Sequence, residues 1–361
     1  MVLESLSVRG FRNLASVDVE FVSRLNVVSG ENGQGKTNLL EAVYALATSR
    51  SFRTGKLADV LPGADRIASI RGRVHEGTES REQSIGIRHG LRAVRMDGKR
   101  PATLAAYAVR TPTVVFHPAA VAVAAGSGAE RRRLLDRIAL YLSPTSIEEA
   151  ERYRNASRAR QRVLDARGDS AKDLDGWEEI IVKHGLAWSC ARAAAAALLV
   201  PAAEKAFARI AGSSVVMRGS YTRSAPMTED EFRNELRRSR ARDRARGSIA
   251  VGPHRDDLAL ELGHMPVRST ASQGQQRAVV LALELAEIEV IVQTRGVRPL
   301  LLLDDVSSEL DRVRTAALFR SLRDEDGQVL LTTTRPDLIE LGGAPHERRD
   351  FLVDRGRITR V

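Results

Sequence analysis

Residues 30–37 read GENGQGKT, between the strand-like run LNVVS and the helix-like run NLLEAVYAL. The segment matches GxxxxGK[ST] in full and in the context that pattern needs, a strand before it and a helix after it. Successive backbone N–H groups of such a loop curl around a β-phosphate. Gly33 and Gly35 allow that curvature and the close approach, and the following helix N-terminus adds positive potential. Lys36 is placed to bridge β- and γ-phosphates, and Thr37 to offer a hydroxyl to Mg2+. Gly30, Glu31, Asn32, Gln34 and Asn38 complete the set of candidate ATP contacts. The bland alternative is a glycine-rich turn with an incidental lysine, and the flanking strand and helix weigh against it.

A second stretch, LLLLDDVSSELD (300–311), predicts a strand buried on both faces that ends in two carboxylates. Unpaired buried carboxylates cost several kcal/mol, on the order of magnitude set by desolvation, so two in succession call for a cation or a hydrogen-bonding ligand. Asp304 is the candidate Mg2+ ligand, often acting through water. Asp305 and Lys36 are the candidate catalytic residues, with Asp305 polarising the attacking water. A strand end capped by exposed acids is the alternative if the motif stands alone.

The third stretch, STASQGQQRAVVLALELAEIEVI, sets Ser272, Gln273, Gly274 and Gln275 at the start of an amphipathic helix. Thr37 and Ser272 lie 235 positions apart (272 − 37). One chain already has its phosphate loop, so a second anion site makes sense if it closes over ATP held by another copy. Taken alone, the segment reads equally well as a helix cap.

The 361 residues include 56 Lys+Arg against 46 Asp+Glu, a formal +10, which suggests a polyanionic partner such as nucleic acid. Only six of the 56 are lysine, so an arginine-biased composition is a competing explanation. Aromatics make up 4%, which favours gripping backbone phosphates over stacking the bases of a single strand. The lone Cys190 excludes an internal disulfide and a cysteine zinc cluster, and it reads as a buried thiol. The N-terminus alternates like a strand rather than a signal peptide, and the apolar run 186–200 is interrupted by Arg192; the expectation is a cytoplasmic protein with no membrane partner.

Strand-like runs fill residues 1–118, helical patterns rich in alanine and arginine fill 119–245, and strands return over 246–361. The chain is therefore expected to be α/β, a discontinuous head of residues 1–118 and 246–361 with a mixed sheet, and an inserted, mainly helical second lobe at 119–245. Asp354-Arg355-Gly356 suits a hairpin turn near the end.

In order along the chain, FRNL, GENGQGKTNLLEAVY, RSFR, GPHRDDL, ASQGQQR and LLLDDVSSELD resemble the RecF family of ABC-type ATPases. The match is strong over 1–53 and about 250–335 and loose through the helical middle. The spacing is informative, because transporter ATPase subunits set their signature much nearer the glycine loop. Structural-maintenance-of-chromosomes heads separate the two by a long coiled coil. The resemblance implies an ABC-type P-loop head and a homodimer that clamps DNA when ATP joins two heads, with slow hydrolysis resetting it. It further implies action at gaps with RecO and RecR to help RecA load. By the same route Arg12 and Asn13 look like residues approaching the nucleotide, residues 308–311 like a dimer-interface segment, and Thr333 occupies the place of a switch histidine. One departure concerns FHPAAVAVAAGSGAERRRLLD, where Ala119 and Ala120 stand at usually acidic positions and His117 reads as a solvated loop residue. The DNA contacts are expected among Arg237, Arg238, Arg240 and Arg242 or on the basic face of 151–167, each of which also reads as an ion-paired helix face. The alternative function is an ABC-type head serving a protein-assembly or transport-coupling complex without DNA.

Overall fold

The computed structural model describes residues 1–63, 66–211, 215–305, 327–336, 339 and 347–361, and elements are numbered in chain order. They fall into two compact units, residues 1–120 with 287–361, and residues 121–286.

In the first unit, short aliphatic runs form strands buried on both faces: β3 (Leu25–Ser29), β7 (Thr113–Phe116), β11 (Leu300–Asp304) and β12 (Val329–Thr333). With β13 (Arg348–Asp354) they make a parallel sheet in the order β14-β13-β3-β12-β11-β7, and β14 (Arg357–Arg360) closes it antiparallel. The β13–β14 connection is the two-residue turn expected from the sequence. Arg355 (φ 47) and Gly356 (φ 76) both take the left-handed conformation that such a hairpin turn requires.

The second sheet is antiparallel, in the order β2-β1-β4-β5-β6, from β1 (Val2–Phe11), β2 (Leu14–Glu20), β4 (Ile67–Glu76), β5 (Glu79–Arg88) and β6 (Leu91–Met96). Its residues alternate between core and solvent, as in β4, where every second side chain is buried. Helix α1 (Lys36–Thr48) packs against strands of both sheets and is buried from Leu39 through Ala47, which explains why its sequence is apolar nearly all round. The first turn of that helix, carrying Lys36 and Thr37, thus rests on a fixed core. A short helix, α2 (Leu104–Ala108), is capped by the Thr103 hydroxyl.

The second unit is built on α3 (Ala122–Ala125), α4 (Gly128–Leu142), α5 (Ser146–Arg167), α6 (Leu174–Ala211), α7 (Glu229–Arg246) and α8 (Val267–Thr270). A small antiparallel sheet, β10-β9-β8, joins them: β8 (Met217–Thr222), β9 (Asp257–Leu262) and β10 (Met265–Pro266). Helix α9 (Gln273–Arg295) follows, and the division between units falls inside it. Helix α6 is long and apolar enough to cross a membrane by length and composition. Yet its buried residues include Glu178, His184, Ser189 and Arg192, each with a polar partner inside the unit.

Two sequence expectations change here. The sequence pattern places the return to the first unit at 246, whereas residues 246–286 remain with the second. The reason is pairing: β9 joins β8, and Asp257 takes a bidentate bond from Arg131 of α4 at 2.9 and 2.8 Å. Cys190 is exposed on α6 rather than buried, because the inward positions around it belong to Ser189 and Arg192.

Candidate functional site

The loop 30–35 turns on glycines that no other residue replaces cheaply. Gly30, Gly33 and Gly35 have φ of 149°, 79° and 119°, and a Cβ on Gly30 would strike the Val353 carbonyl. Lys36 folds back over the loop, its Nζ donating to the carbonyls of Gly30 (2.7 Å) and Glu31 (2.8 Å). Burial lowers the pKa of this ammonium, and the nearby Asp305 and Asp304 oppose that shift. A cation whose hydrogen bonds among the described residues go to carbonyls at the mouth of a glycine loop is ready to exchange them for phosphate oxygens. Glu31, Asn32 and Gly33 are exposed on the rim.

Across from the loop, β11 delivers its two carboxylates. Asp304 is 5% exposed, and its Oδ1 accepts from the hydroxyls of Thr37 (2.8 Å) and Thr332 (2.9 Å). Burial pushes this carboxyl above the ordinary range; the two hydroxyls work against the shift, Asp305 adds to it, and Arg53 opposes it. Asp304 makes no ion pair among the described residues. Asp305 has a left-handed φ of 51°, and its N–H donates to the Thr332 carbonyl (3.2 Å) and hydroxyl (3.0 Å). That conformation coincides with the end of β11 at Asp304.

The loop is braced from behind by residues that no single sequence motif joins. The Gln34 carbonyl accepts from Asn13 Nδ2 (3.0 Å) and from the Gly356 N–H (2.8 Å), while its side-chain Oε1 accepts from the Arg355 N–H (2.7 Å). Asn38 Nδ2 donates to Asn13 Oδ1 at 2.7 Å. Asn13 therefore touches the loop itself. Arg12 does not: it forks onto Glu41 (3.0 and 2.7 Å) and reaches the Asp59 carbonyl (2.6 Å). Fully buried Glu41 also holds Arg53 (3.2 Å) and Ser51 (2.6 Å), and Arg53 in turn donates to Asn38 (2.7 Å). The sequence signal for Glu41 is an acid on the apolar face of NLLEAVYAL, which a buried carboxylate tolerates only with such partners. His117 is half-buried, its ring tilted at 42° to that of Phe52 with centroids 5.1 Å apart. Thr333 is buried, and its hydroxyl accepts from the Arg335 N–H at 2.9 Å. Residues 308–311 lie outside the described residues.

In the second unit, Ser272 and Gln275 form a reciprocal capping box at the start of α9. The Gln275 N–H donates to Ser272 Oγ (3.2 Å), and the Ser272 N–H donates to Gln275 Oε1 (2.9 Å). Ser272 stays exposed, and a hydroxyl that accepts from an N–H keeps its own proton to donate. Gln273 is exposed and Gly274 half-buried beside it.

The arginines expected to meet DNA on α7 are largely committed elsewhere. Arg240 turns inward to Glu178 (2.9 and 2.6 Å) and Asp175 (2.6 Å). Arg237 pairs with Asp175 (3.3 Å), and Arg238 and Arg242 share Glu235 (3.6 and 3.3 Å). Sequence could not separate Arg240 from its neighbours, because its carboxylates arrive from α6, more than sixty positions away in the chain.

A family model described as the RecF/RecN/SMC N terminal domain matches residues 2–347. The DNA replication and repair protein RecF of Myxococcus xanthus is 37% identical over 352 residues, covering 94% of this chain and 92% of that protein. RecF of Geobacter metallireducens is 34% identical over 368 residues, covering 99% and 100%. Among solved structures, the recombination mediator protein RecF-ATP in the RecFOR pathway superposes with a TM-score of 0.90 at 26% identity, covering 99% of this chain and 97% of that one. An Smc head bound to the C-winged helix domain of ScpA, 15% identical with a TM-score of 0.56, shares the fold.

Proposed function

The chain belongs to the RecF family, and on that premise we propose that it is an ATP-dependent DNA-binding protein of recombinational repair and replication restart. The observation that carries the reading is the 2.8 Å bond between Thr37 and buried Asp304, next to a lysine whose ammonium donates to two loop carbonyls. A hydroxyl and a carboxylate that share one proton between them suit a hard divalent cation, and Mg2+ takes one or two such protein ligands together with phosphate oxygens. Bound Mg2+ would neutralise phosphate charge.

The chain's own groups divide the remaining work. Loop N–H groups and Lys36 bind the β- and γ-phosphates, and Asn13 and Gln34 hold the loop in shape. Asp305 orients and polarises the attacking water in a slow hydrolysis. Ser272 of a second copy donates its hydroxyl to the γ-phosphate, so that ATP joins two heads into a dimer. The dimer clamps DNA at gaps, where single and double strands meet, and hydrolysis reopens it. The names of its relatives, which speak of DNA replication and repair and of a recombination mediator in the RecFOR pathway, support a place beside RecO and RecR in loading RecA, in the cytoplasm.

Sedimentation with and without Mg-ATP tests the shared site. Ser272→Arg is expected to leave monomer ATP binding intact and to abolish ATP-induced dimers, whereas Asp305→Asn is expected to give dimers that persist in ATP. Normal dimerisation of the Ser272→Arg variant would overturn the shared site.

A further inference from the structure

Helices α5 and α7 are both rich in arginine, and their charges are balanced differently. We infer that the row Arg154, Arg158 and Arg162 on α5 is the surface that contacts the phosphates of duplex DNA; the inference rests on the DNA-binding reading above.

On α7, Arg233 pairs with Asp230 (2.7 Å), and Arg237, Arg238, Arg240 and Arg242 pair with Asp175, Glu178 and Glu235. Arg244 and Arg246 occupy the last turn, where a cation is stabilised by the carbonyl end of the helix dipole. Folding alone accounts for the composition of α7.

On α5 it does not. Arg154, Arg158 and Arg162 are exposed and follow one another at intervals of four residues, so they form one stripe with axial steps of about 6 Å. Like charges at that spacing destabilise a helix, and an ion-paired solvent face would alternate signs instead. Arg158 donates to the Asn155 amide oxygen (2.8 Å) and the Arg154 carbonyl (3.3 Å), both neutral. Arg154 lies over the Trp188 ring, 4.8 Å from its centroid, and has a further partner, so the unbalanced charge of the row is that of Arg158 and Arg162. Arg162 makes no hydrogen bond or ion pair among the described residues. The stripe's acids sit at its two ends: Glu151, and Asp165, which accepts from Gln161 (2.8 Å). Neutral oxygens thus hold the Arg158 guanidinium in place without cancelling its charge. The row is about 12 Å long, enough to face several phosphates of a strand, which recur about every 3.4 Å along the duplex axis. Guanidinium forks match phosphate oxygens in geometry.

The test is the salt dependence of duplex DNA binding by the full chain in Mg-ATP. Arg158→Gln/Arg162→Gln should lower the slope of log K against log salt by about 2, near 0.9 for each phosphate that is no longer neutralised. The control Arg238→Gln/Arg242→Gln should keep the wild-type slope, and both variants should bind ATP normally and form ATP-induced dimers. A wild-type slope in the α5 variant, or a reduced slope in the α7 control, overturns the inference while leaving DNA binding intact. Absence of salt-dependent DNA association by the wild-type chain overturns the DNA-binding reading itself, and the inference with it.

Discussion

Two buried aspartates, Asp304 in the first unit and Asp256 in the second, meet burial in opposite ways. Asp256, fully buried, accepts from Ser189 (2.7 Å), Tyr221 (2.5 Å) and the Ser224 N–H (2.8 Å), with the Arg192 guanidinium 3.8 Å away. In the same unit, fully buried Arg160 donates to fully buried Glu178 and Asp243, at 2.9 Å each. Asp304 has two threonine hydroxyls and no ion pair among the described residues, and its carboxyl is pushed above the ordinary range. Asp256 and Asp243 are therefore committed to the architecture of the second unit, as Glu41 is to that of the first, whereas Asp304 stays ready for a ligand. Incomplete compensation, more than burial, marks the functional carboxylate.

The contrast is broken most forcefully from the structural side. Glu178→Ala removes the shared partner of Arg160 and Arg240 and should cost about 3 kcal/mol in chemical denaturation, since the buried Arg160 guanidinium then keeps one carboxylate, Asp243, instead of two; nucleotide affinity should be unchanged. Lys36→Ala should leave stability nearly intact and lower ATP affinity on the order of 100-fold in calorimetry, because hydrogen bonds to charged groups are worth about 1.5–3 kcal/mol. Asp304→Asn should do the reverse of Glu178→Ala: stability without nucleotide rises on the order of 1 kcal/mol while Mg-dependent ATP binding is lost.

The pH dependence follows from the same carboxyl. Its folded pKa lies above the unfolded value, so its contribution to stability is full below the ordinary carboxylate pKa and lost as pH rises through the raised one. Mg-ATP affinity should run oppositely and weaken as pH falls through that window, and Asp304→Asn should flatten the stability profile in thermal melts. The smallest effect on ATP binding is expected at the hairpin turn. Gly356→Ala presses a Cβ against the Asn13 backbone carbonyl at a φ of 76°, costing more than about 1 kcal/mol in stability and loosening ATP binding severalfold through Gln34. Unchanged ATP affinity in that variant would mean that the turn does not brace the loop.

The glycine loop, the aspartate-ended strand and the hairpin turn were legible in the sequence because each is a local pattern with one physical solution. Glu41 was legible in principle, as an acid on an apolar helix face. The brace on Gln34 was not, since it joins residues more than 320 positions apart. The unit boundary near 246 failed for the same reason: β8 is a six-residue strand, MRGSYT, whose glycine and polar residues carry little strand signal until β9 pairs with it. Nor could composition tell the arginines of α7 from those of α5, because what distinguishes them is where the carboxylates lie.

The most direct test of ATP-dependent DNA binding is equilibrium binding to gapped, duplex and single-stranded DNA, with and without Mg-ATP, by wild type and Asp304→Asn. Salt-sensitive binding to duplex-containing DNA is expected to tighten with Mg-ATP in the wild type and to show no ATP increment in the variant. Equal affinity with and without Mg-ATP in the wild type would contradict it.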